Sequence, residues 1–209
     1  MFRMKICGVT RPQDVRMIVR AGADAIGFQM STGPRKISAQ QARKLVKLVP
    51  PSVTPVGVFV NDPLSKVNRL VRYCGFQVVQ LHGDENKSYC QKLKVPVIKA
   101  VRMRKSSTHL AYRGFDVAAF LLDRYNQKLA GGTGERISLQ WAAKAVQQLP
   151  APVLLAGGLT PDSVLRAVRK ARPFGVDVAS GVEVRPGIKD PQKVSLFIRR
   201  AKKAFNLKP

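Results

Sequence analysis

The chain has 209 residues, 45% of them hydrophobic and 23% charged, which suits a globular protein with one substantial core. No apolar run is long enough to cross a bilayer, and nothing at the start has signal-peptide length, so a cytoplasmic location with no membrane partner is expected. The 37 Lys and Arg against 12 Asp and Glu give +25. That excess is spread along the chain without aromatic interleaving, so no specific nucleic-acid partner is expected.

Short β-branched runs recur at residues 3–7, 23–30, 55–60, 77–82, 95–101, 117–123, 152–156 and 176–180. Segments with helical spacing lie between them, at 14–21, 39–48, 64–73, 139–148 and 162–171. Pro12, Ser38 and the Thr160-Pro161 pair are helix-start signals. The fifth helix, within 106–113, reads as short or degenerate. Strand alternating with helix predicts a parallel sheet with right-handed crossovers. Eight such units predict one domain over residues 1–209, a single (β/α)8 TIM barrel, with a doubly wound open sheet as the alternative. In the last helix Val194, Phe197, Ile198, Ala201 and Phe205 form an apolar stripe. Its expected use is packing on the barrel, rather than lying on a membrane.

Barrels of this type carry their chemistry at the carboxyl ends of the strands. Those ends here hold Cys7-Gly8, Asn61-Asp62, His82-Gly83, Asp123, Gly157-Gly158 and Ser180-Gly181. Each has an ordinary explanation alone, but together they put a thiol, an imidazole and a carboxyl on one face of one barrel. Side chains alternate along a strand, so Lys5 shares a face with Cys7, Gln80 with His82, and Leu121 with Asp123. Lys5 beneath Cys7 is expected to favour the thiolate, or else to pair with an inward carboxylate. Arg124, folded back, would favour the ionised form of Asp123.

The three cysteines, Cys7, Cys74 and Cys90, form neither a disulfide framework nor a zinc spacing. Two glycine-bearing turns, "AGGLTPDS" and "ASGVEVRPG", follow the seventh and eighth strands, where such barrels often hold phosphate. Gly157, Gly158, Ser180 and Gly181 are therefore phosphate candidates. "GGTGER" at 131–136 lacks the ending of a nucleotide P-loop. It reads as a loop closing over a ligand, with Gly132 and Gly134 as its flexible points.

The ordered set "KICGVT", "GADAIGFQM", "GPRKIS", "VGVFVN", "VVQLHGDE", "LLD", "GGTG", "LLAGGLTPDSV" and "GVDVASGVEVRPGIKD" resembles the phosphoribosylanthranilate isomerase family over nearly the whole chain. The resemblance implies a cofactor-free Amadori rearrangement of N-(5-phosphoribosyl)anthranilate in tryptophan biosynthesis, with no metal. It puts the general base on Cys7, the general acid on Asp123, and the grip on the anthranilate carboxylate on Arg35. His82 and Asp177 match further substrate-site positions. The oligomeric state is left open. Two other functions fit the residues: another phosphosugar isomerase or epimerase on the same barrel, and an anion- or nucleic-acid-binding barrel driven by charge.

Overall fold

The structure is a computed structural model and describes residues 1–124 and 138–206. Eight parallel strands close into a barrel in chain order. They are β1 (Met4–Cys7), β2 (Ala25–Gln29), β3 (Thr54–Phe59), β4 (Val78–Leu81), β5 (Val97–Met103), β6 (Ala119–Arg124), β7 (Val153–Leu155) and β8 (Gly175–Val178). The runs are short and apolar because helices cover one face of the sheet and barrel closure covers the other. Alternation along each strand splits the core in two. Ile6, Phe28, Val79, Val101, Phe120 and Leu155 belong to the large layer under the helices. Ala25, Val56, Ile98, Ala119, Leu121 and Leu154 fill the interior.

The helices are α1 (Pro12–Ala21), α2 (Ala39–Val46), α3 (Leu64–Cys74), α4 (Lys87–Gln91), α5 (Leu139–Gln148), α6 (Pro161–Ala171) and α7 (Pro191–Ala204). Local chemistry fixes their starts. The Ser38 hydroxyl accepts the Gln41 N–H at 3.1 Å, Thr160 and Ser163 form a reciprocal capping box, and the Asp190 carboxylate accepts from Gln192 and Lys193. The fifth connection carries only a 3₁₀ turn, Thr108–Tyr112. Thr108 Oγ1 takes the backbone N–H groups of Arg104 at 3.2 Å and Lys105 at 3.0 Å there, local bonds that compete with helix. The fourth connection is nearly as reduced, since α4 has five residues.

Val194, Phe197, Ile198 and Ala201 of α7 are buried, and the helix packs against α6 and α1. The apolar stripe is thus core, as its spacing predicted. No helix among the described residues is long and apolar enough to cross a membrane.

One feature has no counterpart in the sequence periodicity. Between β8 and α7 the chain makes a small antiparallel hairpin, β9 (Glu183–Arg185) and β10 (Ile188–Lys189). Both Glu183 and Lys189 are buried. The expected loop glycines Gly132 and Gly134 lie outside the described residues.

Candidate active site

The floor of the site is a charged group inside the barrel. β1 pairs with β8 in a register that sets Lys5 directly across from Asp177. Lys5 Nζ meets Asp177 Oδ1 at 2.8 Å with the lysine fully buried. Burial pulls the Lys5 ammonium down, but Asp177 and Cys7 together hold it above its ordinary value, so it stays charged. Asp177 is the inward carboxylate that the position of Lys5 called for.

Cys7 stands above Lys5 at the end of β1 and is 5% exposed. Sequence reasoning expected Lys5 to draw the thiol towards the thiolate. Lys5 does so, yet burial outweighs it, and Asp177 adds to burial, so the Cys7 thiol lies above its ordinary 9.0. Removing a sulfur anion from water is the larger effect.

The β1–β2 register sets Cys7 across from Gly27. A Cβ at Gly27 would stand 2.7 Å from Cys7 Sγ and 3.0 Å from Lys5 Nζ. Glycine is what lets the thiol and the ammonium share this layer. Gly27→Ala is expected to destabilise the fold by about 1–3 kcal/mol through overpacking. It is also expected to lower kcat by about 10²-fold through displacement of the sulfur. Urea unfolding and steady-state kinetics measure the two effects.

Across the barrel, His82 follows β4 directly. Sequence reading extended the fourth strand to His82, whereas it ends at Leu81. The His82 N–H still donates to the Phe59 carbonyl at 2.8 Å, which keeps its backbone aligned with β3. Its Nε2 lies 3.2 Å from Asp123 Oδ2, and its Nδ1 lies 3.0 Å from Gln80 Nε2. The other oxygen of Asp123, Oδ1, accepts the backbone N–H of Arg124 at 2.8 Å. The loop beyond His82 is tied down by Glu85, which accepts the N–H groups of Asn61 at 2.8 Å and Gly83 at 3.0 Å. Lys99 Nζ meets the same carboxylate at 2.7 Å.

Arg35 comes from the loop after β2 and is 4% exposed. It lies against Gly8, where a Cβ would stand 2.3 Å from Arg35 Cδ and where φ is +74°. Only glycine meets both conditions. Glu183 takes the Nε–Nη2 edge of the guanidinium, at 2.8 Å to Nε and 2.6 Å to Nη2. The opposite, Nη1–Nη2 edge is the one available to a second carboxylate, because a guanidinium offers donors on both edges. Lys189 Nζ binds Glu183 Oε1 at 2.7 Å and the Cys7 carbonyl at 2.6 Å. Burial pushes the Glu183 carboxyl up, but Arg35 and Lys189 hold it below its ordinary 4.5. Hairpin, β1 and the β2 loop are thereby joined through one carboxylate.

The two glycine turns also meet. Gly157 and Gly158, after β7, have φ of +79° and +76°. β8 stops at Val178, so Ser180 opens a 3₁₀ turn, Ser180–Val182, instead of ending the strand as expected. A Cβ at Gly181 would stand 1.9 Å from the Leu159 carbonyl oxygen, so the two turns are in direct backbone contact.

The structure therefore joins His82 to Asp123, Cys7 and Lys5 to Asp177, and the Gly157–Gly158 turn to the Ser180–Gly181 turn. Glu183 and Lys189 were not read from the sequence as site residues. Their one available signal was the scarcity of acids: with 37 cations to 12 acids, any buried cation claims one.

Closed (β/α)8 barrels that are enzymes work at the carboxyl ends of their strands. Cys7 and Asp123 stand at or near such ends, so the chain has the class of a (β/α)8 barrel with a polar site there. The family follows from its relatives. A family model described as N-(5'phosphoribosyl)anthranilate (PRA) isomerase matches residues 4–200, and the chain belongs to that family. It is 46% identical over 204 residues to the N-(5'-phosphoribosyl)anthranilate isomerase of Citrifermentans bemidjiense, covering 97% of this chain and 98% of the relative. The crystal structure of phosphoribosyl anthranilate isomerase from Thermotoga maritima is similar, with TM-score 0.89 and 37% identity over 97% of this chain and 100% of the other. A second solved isomerase holds reduced 1-(o-carboxyphenylamino)-1-deoxyribulose 5-phosphate. It is similar with TM-score 0.85 and 36% identity, covering 97% of this chain and 100% of the other.

Proposed function

We propose that the chain catalyses the Amadori rearrangement of N-(5-phosphoribosyl)anthranilate to 1-(2-carboxyphenylamino)-1-deoxyribulose 5-phosphate in tryptophan biosynthesis, with Asp123 as general acid and Cys7 as general base. The observation that carries this reading is the family match along residues 4–200, on a barrel with Cys7 ending β1 and Asp123 near the end of β6.

Asp123 gives its proton to the ribose ring oxygen, and the C1–O bond opens to an iminium. The N–H groups of His82 and Arg124 receive the carboxylate that forms. Cys7, once its own thiol proton has passed to solvent, removes the proton from C2 as the thiolate, leaving an enaminol that tautomerises to the ketone. A raised thiol pKa makes the anion a stronger base. The Lys5 ammonium at its side balances the charge, and Asp177 fixes that ammonium.

Arg35 offers its Nη1–Nη2 edge to the anthranilate carboxylate, a planar group suited to bidentate binding. The Gly157–Gly158 and Ser180–Gly181 turns offer backbone N–H groups to the phosphate, next to the N-terminus of α6.

The test is turnover of N-(5-phosphoribosyl)anthranilate by wild type and Arg35→Ala. Loss of a bidentate carboxylate contact is expected to raise KM by about 10–100-fold. An unchanged KM would move the assignment to a phosphosugar substrate without the anthranilate carboxylate.

A further inference from the structure

Gln80 is an amide in a place that packing alone does not demand. It is 1% exposed, and its register partners on β3 and β5 are the aliphatic Val58 and Ile98. Its Oε1 is buried with no hydrogen-bond partner among the described residues, an unfavourable state for a polar atom. A methionine would occupy much the same volume without that penalty. Among the described residues, the one polar contact that the side chain makes is Nε2 to His82 Nδ1, at 3.0 Å.

An amide nitrogen only donates. With the amide in this orientation His82 Nδ1 is the acceptor, which puts the proton of the neutral imidazole on Nε2, facing Asp123 Oδ2 3.2 Å away. A second proton on His82 would have to go to Nδ1, where it would face the N–H of Gln80, donor against donor. The imidazolium form is closed off unless the amide turns over, and turning over would bury the NH2 group without an acceptor.

We propose that Gln80 is a positioning residue that holds His82 as the neutral Nε2–H tautomer, and so keeps the proton shared by the His82–Asp123 pair on the carboxyl. The proposal rests on the reading of Asp123 as the general acid. In that reading a proton transferred from Asp123 to His82 would be lost to the reaction, because the ribose oxygen takes its proton from the carboxyl. With Nδ1 occupied, Oδ2 accepts from Nε2–H while Oδ1 accepts the backbone N–H of Arg124. After transfer to the ring oxygen, both carboxylate oxygens already have N–H donors in place.

Two measurements test this at neutral pH, on ¹⁵N-labelled full-length protein. The chain has only two histidines. The second, His109, has Nε2 2.7 Å from Gln148 Oε1 and serves as an internal reference for a protonated Nε2. In the wild type, the ring shifts of His82 are expected to report an unprotonated Nδ1 and a protonated Nε2. In Gln80→Glu the carboxylate accepts from Nδ1–H, so both nitrogens become protonated. There kcat is expected to fall by about 10²-fold or more with KM within about threefold. Gln80→Met removes the donor without adding an acceptor; a mixture of tautomers and an intermediate loss of kcat are expected.

A wild-type His82 that is protonated on Nδ1, or on both nitrogens, overturns the proposal whether or not the variants fold. So does a Gln80→Glu protein that shows the imidazolium and keeps full kcat. A wild type with the expected tautomer whose kcat is unchanged by Asp123→Asn would instead remove the reading of Asp123 as general acid.

Discussion

Asp123→Asn is expected to lower kcat by about 10²–10⁴-fold while KM stays within about threefold. The loss corresponds to about 3–5 kcal/mol of transition-state stabilisation. Asparagine fills the same space, and its oxygen can still accept the N–H of Arg124 or of His82, but not both without turning its NH2 group against the other donor. One hydrogen bond is therefore sacrificed, worth about 0.5–1.5 kcal/mol of stability. That is too little to unfold the barrel. A thermal melt separates the two effects, since kcat collapses while the midpoint moves by a few degrees. An asparagine variant with near wild-type kcat would show that the ring-opening proton comes from elsewhere.

Glu183→Gln is expected to act mainly on the fold. Glu183 is the shared partner of Arg35 and Lys189, and all three side chains are at most 5% exposed. Neutralising it leaves two buried cations facing one amide. Breaking a buried pair from one side typically costs about 3–5 kcal/mol, because the remaining charge is unpaired. The guanidinium that Glu183 holds over Gly8 also loses its anchor, so KM should rise together with the loss of stability.

The sign of the pH dependence follows from the Glu183 shift. Burial raises its folded-state pKa, but Arg35 and Lys189 hold it below 4.5. A depressed carboxyl contributes stability that is present above its unfolded value and lost as pH falls through its folded value. The gap in unfolding free energy between wild type and Glu183→Gln is therefore expected to be full at neutral pH and to narrow below about 4.5. A gap that is constant with pH would mean that the carboxylate charge is not what holds the hairpin.

Several parts of this arrangement were legible in the sequence for a specific reason. A closed barrel ties chemistry to strand ends, and strand ends can be read from β-branched runs followed by glycine. Cys7 and His82 were found that way, Asp123 from the end of its apolar run alone, and parity set Lys5 beneath Cys7. What periodicity does not express is closure. The contact of Lys5 with Asp177 spans 172 residues and exists only because β8 returns to β1.

The contact of His82 with Asp123 is similar, since β5 lies between their strands and only curvature brings the two ends together. Glu183 and Lys189 were hidden for another reason. A hairpin of three and two residues is too short to show a period, and "VRPGIK" reads as a loop. The thiol misled for want of a magnitude: Lys5 was correctly read as favouring the anion, but burial, which no sequence pattern prints, is the larger effect. The fifth helix, within 106–113, was read as short or degenerate, and that connection carries only the 3₁₀ turn Thr108–Tyr112.

The central claim is that one barrel interior supplies both an acid and a base for a single sugar rearrangement. Its most direct test is to follow the intrinsic fluorescence of N-(5-phosphoribosyl)anthranilate after adding the purified chain, beside the Cys7→Ala variant and an enzyme-free control. The account predicts saturable loss of fluorescence with the wild type and a rate close to the control with Cys7→Ala. Normal turnover by Cys7→Ala, or no turnover by the wild type, would contradict it.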